Sequence, residues 1–532
     1  MRFSIPDVRL VYAPHVRRLA IWLAAGLSVG SWAANADAFC GFYVGGADTK
    51  LYNNATQVVL LRDGMRTVLS MQNNYQGPPE AFAMVVPVPI VLQKENVKTL
   101  PRAVFDRVDQ LTAPRLVEYW EQDPCYEAHR DYNMRSETAM AVAPSPAAEA
   151  KGGGMPLVRV EAEFTVGEYD IVILSADDSS ALDAWLKTNQ YRIPDGAEPV
   201  LRPYVQMGQK FFVAKVDPKK VTFKDGMATL SPLRFHYDDD SFRLPVRLGL
   251  LNSSGTQDLI VNIIARNQRY EAANYPNLTI PTNIELDESA KASFGPFYVA
   301  LFDKAVENAK NSVVTEYAWT AGSCDPCPGP TLQPTDIATL GGDTLLAPKD
   351  TDAPPGAAKP SGLSPWDATI TRLHVRYTKD SLGEDLVFRA ASPIQGGNGW
   401  AAGPNKHGAT VIPNGQNMFQ GRYIIRHYWQ GDITCENPVF NRWGGSPDKI
   451  EGAKELAFVP RDGVTLASVI AEEVPILNLK PTAVKPVSRN YNTLRIWLSR
   501  FTSSKWAIGL GFVAGILGMW LAKRGARVSR SS

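Results

Sequence analysis

Five cysteines, Cys40, Cys125, Cys324, Cys327 and Cys435, are the residues of this 532-residue chain best suited by type to covalent chemistry. All five follow an N-terminal stretch that reads as an export signal, so in an oxidising setting they are expected to pair. Cys324-Asp325-Pro326-Cys327 has the two-residue spacing of thiol–disulfide exchange motifs. Such motifs normally set the first cysteine at a helix N-terminus, whose dipole stabilises the thiolate. Pro328, Pro330 and Pro334 argue against a regular helix here. The motif therefore reads first as a local loop closure and second as a redox centre. For the other cysteines the favoured pairing is Cys40 with Cys125, leaving Cys435 over. Cys324 or Cys327 with Cys435 competes, because connectivity is not deducible from sequence.

No other constellation is coherent. A zinc site would need Cys324 and Cys327 with His427 and Cys435, a weak ligand set whose spacing is not diagnostic, and no cofactor is expected. Past the signal only His129, His236, His374, His407 and His427 could serve as a histidine base. His236 precedes Asp238-Asp239-Asp240, which reads as an acidic surface turn before it reads as a calcium site. His427, among apolar and aromatic neighbours, reads as a hydrogen-bonded core histidine. Gly26-Leu27-Ser28-Val29-Gly30 matches a nucleophile elbow but lies inside the signal. Neither a zincin pair nor a Walker sequence occurs. No catalytic residue is assigned, and a non-enzymatic role is the first reading.

Strands must position these residues. Val58 to Met71 should form a hairpin around Asp63-Gly64. Val85 to Pro89 should form an edge strand, since its prolines cannot donate to a ladder. Leu157–Leu174, Phe211–Val216, Leu244–Leu251, Asp258–Ala265, Thr371–Tyr377, Leu386–Ala390 and Gly421–Trp429 are further strands. Helices are fewer: one opened by Pro101 with Val104, Val108 and Leu111 inward, one capped by Asp178 or Ser179 that buries Leu182, Trp185 and Leu186, and one from Pro296 to about Asn308. The class is α+β, strand-rich with a few helices, plus one C-terminal transmembrane helix.

Composition is that of a globular chain, 45% hydrophobic and 20% charged, which excludes a disordered, collagenous or polytopic membrane protein. The net charge of +1 hides basic ends around an acidic body, which excludes nucleic acid as a partner. Residues 1–38 read as a signal peptide, with a basic stretch to Arg18, an apolar run from Leu19 to Trp32 and Ala36-Asp37-Ala38 as the cleavage site. The general and twin-arginine routes both remain open. Low-complexity stretches at 137–156 and 341–365 read as linkers, dividing the body into units 39–136, 157–340 and 366–490.

Several strings together carry a family likeness: Phe39-Cys40-Gly41-Phe42, PPEAFAMVVPVP (Pro78 to Pro89), LTAPRLVEYW (Leu111 to Trp120), LPVRLGLLNSSGTQDLIV (Leu244 to Val261), YEAANYPN (Tyr270 to Asn277), Cys324-Asp325-Pro326-Cys327-Pro328 and GRYIIRHYW (Gly421 to Trp429). On these the chain resembles the bacterial domain-of-unknown-function family twenty-three thirty over nearly the whole mature chain. The resemblance implies an exported protein of the bacterial cell envelope and carries no catalytic residues over.

Near the C-terminus, a juxtamembrane segment 491–505 has Leu494, Trp497, Leu498 and Phe501 at helical spacing. Trp506 to Ala522 follow without a charge, about 25 Å as a helix. Trp506 and Trp520 would sit at the two interfaces, with Lys523 and Arg524 opening a basic cytoplasmic tail, 523–532. Gly511 and Gly515 on a small-residue face admit a homodimer through that helix. The expectation is a single-pass inner-membrane protein with the lipid bilayer as partner and a periplasmic ectodomain that binds or scaffolds an unidentified envelope protein or ligand. The alternative is a periplasmic thiol–disulfide oxidoreductase using Cys324 and Cys327.

Overall fold

The computed structural model describes residues 57–72, 83–125, 158–189, 196–224, 227–250, 257–345, 362–378, 381–398, 411–444, 464–483 and 487–494, with short pieces at 42–44, 52–53, 74–76, 496, 516–517 and 519–520. All belong to the compact unit Ala36–Ser532.

An eleven-stranded mixed sheet is the frame. Asp63-Gly64 turns the hairpin Gln57–Asp63 and Arg66–Gln72, with Gly64 at φ +57°, a left-handed conformation that glycine adopts at no steric cost. Gln257–Arg266 pairs in parallel with Gln57–Asp63 and antiparallel with Ala368–Tyr377, and Val313–Thr320 lies beyond that. This sheet takes strands from all three segments that the linkers were expected to separate.

Its central strands are buried on both faces, which explains their continuous apolar runs. Val58, Leu60, Leu69 and Met71 face one core, shared with an antiparallel five-stranded sheet through Val86, Ile171 and Phe212. Val59, Leu61 and Val68 face another, covered by helix Ala103–Thr112 through Val104, Phe105, Val108 and Leu111. On the far side of the five-stranded sheet, helices Ser179–Thr188 and Ala197–Gln206 bury Leu182, Leu186, Leu201 and Tyr204. Asp178 caps the first by accepting the Ala181 N–H. Among the described residues the strand with Pro87 has neighbours on both sides at Ala83–Val85 and on one side from Val86 to Val88, where the proline needs no second partner.

The expected strand Leu244–Leu251 is mostly otherwise. Arg243–Leu244 pair as a short strand and Arg247–Leu250 make a helical turn. Asp385 explains the turn, because its carboxylate accepts the Val246 and Arg247 N–H groups.

A smaller sheet bears on the cysteines. Ile284–Leu286, Arg422–His427 and Arg115–Glu121 run parallel, and Trp443–Gly444 returns antiparallel on the last. Helix Phe294–Val306 covers it through Phe294, Phe297, Leu301 and Phe302.

The membrane reading is corrected. No helix among the described residues is long and apolar enough to cross a membrane. Of Trp506 to Ala522 only 516–517 and 519–520 are described, as exposed helix, so Trp506, Gly511 and Gly515 lie outside the described residues, as do Lys523 and Arg524. With the span go the transmembrane part of the fold class, the bilayer partnership, the homodimer through that helix, the single-pass inner-membrane localisation and the membrane-anchored scaffold. The signal peptide and the linker 137–156 also fall outside the described residues.

Candidate functional site

The strand Val313–Thr320 delivers the chain to Cys324. Its end is pinned by Ala321 N–H to the Ala368 carbonyl at 2.7 Å, and Leu332 N–H returns to the Ala321 carbonyl at 3.1 Å, closing a loop between them. Inside the loop, Ser323 Oγ lies 2.7 Å from Thr320 Oγ1 and accepts from Trp319 Nε1 at 3.1 Å. Cys324 and Cys327 are disulfide-bonded, their Cα atoms 4.9 Å apart. Cys324 is half-buried against the core beneath helix Ala103–Thr112, whereas Cys327 is exposed. Helix Pro334–Thr339 begins seven residues past Cys327, so the motif does not itself open a helix.

Buried polar groups form the floor. The two carbonyls between the cysteines point down: Asp325 O accepts from Gln420 Nε2, and Pro326 O accepts from Arg115 Nη1 at 3.1 Å. Arg115 is 4% exposed and also donates to the Leu111 carbonyl. Burial lowers its pKa to about 10, with the like charges of Arg372 and Arg422 adding to the effect against Tyr317. Arg422 donates to Asn283 Oδ1 and to the Tyr119 hydroxyl, each at 2.9 Å. Burial depresses its pKa too, opposed by Tyr119 and by Asp325 of the loop. The Tyr317 hydroxyl, the Gln420 Oε1 and the Arg115 Nε find no partner among the described residues. Arg115 thus sets a buried positive charge against the backbone between the two cysteines.

The pairing of Cys40 with Cys125 is corrected. Cys125 bonds Cys435, 310 residues away, and Cys40 lies outside the described residues. The parallel ladder of Arg115–Glu121 with Arg422–His427 carries both chains to one edge. There Val439 N–H meets the Pro124 carbonyl and Arg442 donates to the Asp123 carbonyl.

The proposed zinc ligands are not assembled. Cys324 is bonded to Cys327 and Cys435 to Cys125, and His427 Nε2 lies 2.7 Å from Glu118 Oε2, its ring stacked on Trp120 at 4.4 Å. Burial would raise the Glu118 pKa, but Lys291 and His427 hold it below its ordinary value. Among the described residues no group of three His, Cys, Asp or Glu could hold a metal ion. His236 contacts Asn96 rather than its acidic neighbours, and burial, with Arg66 and Arg234 nearby, lowers it to about 4. His129 and His407 lie outside the described residues.

A buried ion cluster lies behind the floor. Glu316 occupies a bulge of Val313–Thr320 and meets Arg372 Nε at 2.7 Å, His374 Nδ1 at 2.6 Å and the Tyr298 hydroxyl. His374 Nε2 reaches Asp258 Oδ1 at 2.9 Å, and Arg376 joins Asp258 to Asp303. Burial alone would lower the His374 pKa, but Glu316 and Asp258 raise it, which fits an imidazolium donating through both nitrogens. Glu316 and Asp258, despite burial, are held at about 2, chiefly by His374. One signal for this cluster stood in the sequence: Arg372, His374 and Arg376 alternate on one face of a strand.

No curated protein and no solved structure matches the chain. Residues 34–389, which include Arg115 and the Cys324–Cys327 loop, match the family described as "Uncharacterized protein conserved in bacteria (DUF2330)", and the chain belongs to that family.

Proposed function

We propose that the chain is a thiol–disulfide exchange protein whose reacting group is the Cys324–Cys327 disulfide. The exposed Cys327 sulfur above a buried, loop-bonded guanidinium carries this reading. A thiolate of a dithiol substrate attacks Cys327 Sγ, the S–S bond breaks, and Cys324 leaves as a thiolate while substrate and Cys327 share a mixed disulfide. The second substrate thiolate attacks the substrate sulfur of that bond, closing the substrate disulfide and expelling the Cys327 thiolate. Two electrons pass to the protein, and its two thiolates take up the two protons the substrate thiols released. Arg115 favours the thiolates of the reduced loop, and its hold on Pro326 O keeps the loop in place once the bond is open.

Redox titration of the full chain in glutathione and dithiothreitol buffers, with alkylation of free thiols and mass mapping, tests this. Cys324 and Cys327 should open at a potential in the range of exchange proteins, above roughly −280 mV, while Cys125 and Cys435 stay bonded. A Cys324–Cys327 potential at or below about −300 mV, the range of structural disulfides, would sink the reading.

A further inference from the structure

An indole stands beside the reacting loop with no partner on its outer side among the described residues. Trp366 is 67% exposed, level with Met519 and behind Leu494 alone among the large apolar side chains described. Its place is fixed from below. A Cβ built on Gly322 would meet Trp366 Cδ2, Cε3 and Cε2 at 2.9, 3.1 and 3.2 Å, three nearly equal distances that set the ring flat over the glycine backbone. Its backbone is held as well: Trp366 N–H donates to Ser364 Oγ at 3.2 Å, and Asp367 and Ala368 N–H return to the Ser364 carbonyl. Only glycine at 322 leaves room for this pose.

Gly322 precedes Cys324 by two residues, so their Cα atoms are at most about 7.6 Å apart. Cys327 Cα lies 4.9 Å from that of Cys324. An extended peptide rises about 3.3 Å per residue, so two to four residues span the gap between indole and disulfide. A fixed aromatic face left in water beside a reactive bond suits recognition, because a rigid indole loses little entropy when an apolar side chain stacks on it.

We infer that Trp366 sets the substrate class of the exchange reaction proposed above: a cysteine-bearing polypeptide with an aromatic or large apolar side chain two to four residues from its reacting cysteine. Trp366 is a specificity-determining residue and takes no part in the bond changes. The inference rests on the exchange reading, and the electron balance is unchanged: the peptide dithiol is oxidised to its disulfide as Cys324–Cys327 is reduced.

The test compares three dithiols as reductants of the oxidised full chain: a peptide with Phe three residues before its first cysteine, the same peptide with Ser there, and dithiothreitol. Wild type should prefer the Phe peptide over the Ser peptide. In Trp366→Ala the ratio of the Phe-peptide rate to the dithiothreitol rate should drop by roughly tenfold, the scale of one lost apolar contact in recognition. Gly322→Ala, which keeps the indole but tilts it, should lower the same ratio. An unchanged ratio in Trp366→Ala, or equal losses on peptide and dithiothreitol, would overturn the inference while leaving the exchange reading standing. A wild-type disulfide that none of the three dithiols opens would overturn the exchange reading, and this inference with it.

Discussion

The two disulfides of this chain are opposites. Cys125–Cys435 joins positions 310 residues apart at the rim of a parallel ladder, half-buried and surrounded by backbone hydrogen bonds. Cys324–Cys327 joins positions 3 residues apart on a loop whose second sulfur is exposed. Ideal-chain closure entropy makes the first worth about 6 kcal/mol and the second about 2 kcal/mol. The long bond limits the unfolded chain and is hard to reach. The short one limits little and is easy to reach, so structure alone gives less reason for it than chemistry does.

Replacing both Cys125 and Cys435 by serine should produce the largest effect on stability, a loss of about 4 kcal/mol in urea unfolding, below the ideal figure because real denatured chains retain structure. A loss under about 1 kcal/mol would erase the contrast. Replacing Cys324 and Cys327 by serine should cost no more than about 2 kcal/mol in the same assay and abolish exchange with dithiothreitol. Arg115→Met sharpens the comparison at the reacting site alone. Without that guanidinium the thiolates of the reduced loop are less stable, so the Cys324–Cys327 potential should move more negative by roughly 30 mV in glutathione titration. A shift to less negative values would show that the charge does not act on the sulfurs.

The smallest effect is in pH, where neither bonded pair titrates and the buried charges are left to act. His374, raised in the folded chain, gives stability that is complete below its unfolded pKa of about 6.5 and is lost as pH rises through the folded value. His236, lowered to about 4, does the reverse: its contribution is complete above about 6.5 and is lost as pH falls toward 4. Glu316 and Asp258 lose theirs between about 4 and 2. Unfolding free energy should therefore peak near pH 6.5, and His374→Gln should flatten the alkaline side. A wild-type curve that keeps rising from pH 6.5 to 9 would contradict the His374 assignment.

What the sequence disclosed was local. Asp63-Gly64 announced its hairpin, Pro101 and Asp178 their helices, and Cys324 to Cys327 their short bond, because each signal and its partner lie within a few residues. Pairings across hundreds of residues left no such mark. Nothing near Cys125 names the strand Arg422–His427 that brings Cys435 to it. Likewise the strand reading of Leu244–Leu251 failed because Asp385, which caps the turn there, lies about 140 residues away. The basic alternation of Arg372, His374 and Arg376 was visible, yet solvent exposure is the ordinary reading of such a face. Only the acids from Asp109, Asp258, Asp303 and Glu316, on separate elements, turn it inward.

The parallel pairing of Arg115–Glu121 with Arg422–His427 also sets a timetable for a chain made from its N-terminus. At about 5–20 residues per second, the first of these strands waits on the order of 15–60 s for the second to be synthesised. During that wait the thiols at 324 and 327 emerge ahead of the one at 435. Besides Cys40, which precedes it, Cys125 thus meets two further wrong mates before the right one, so closing the reactive loop early also keeps those two away from it.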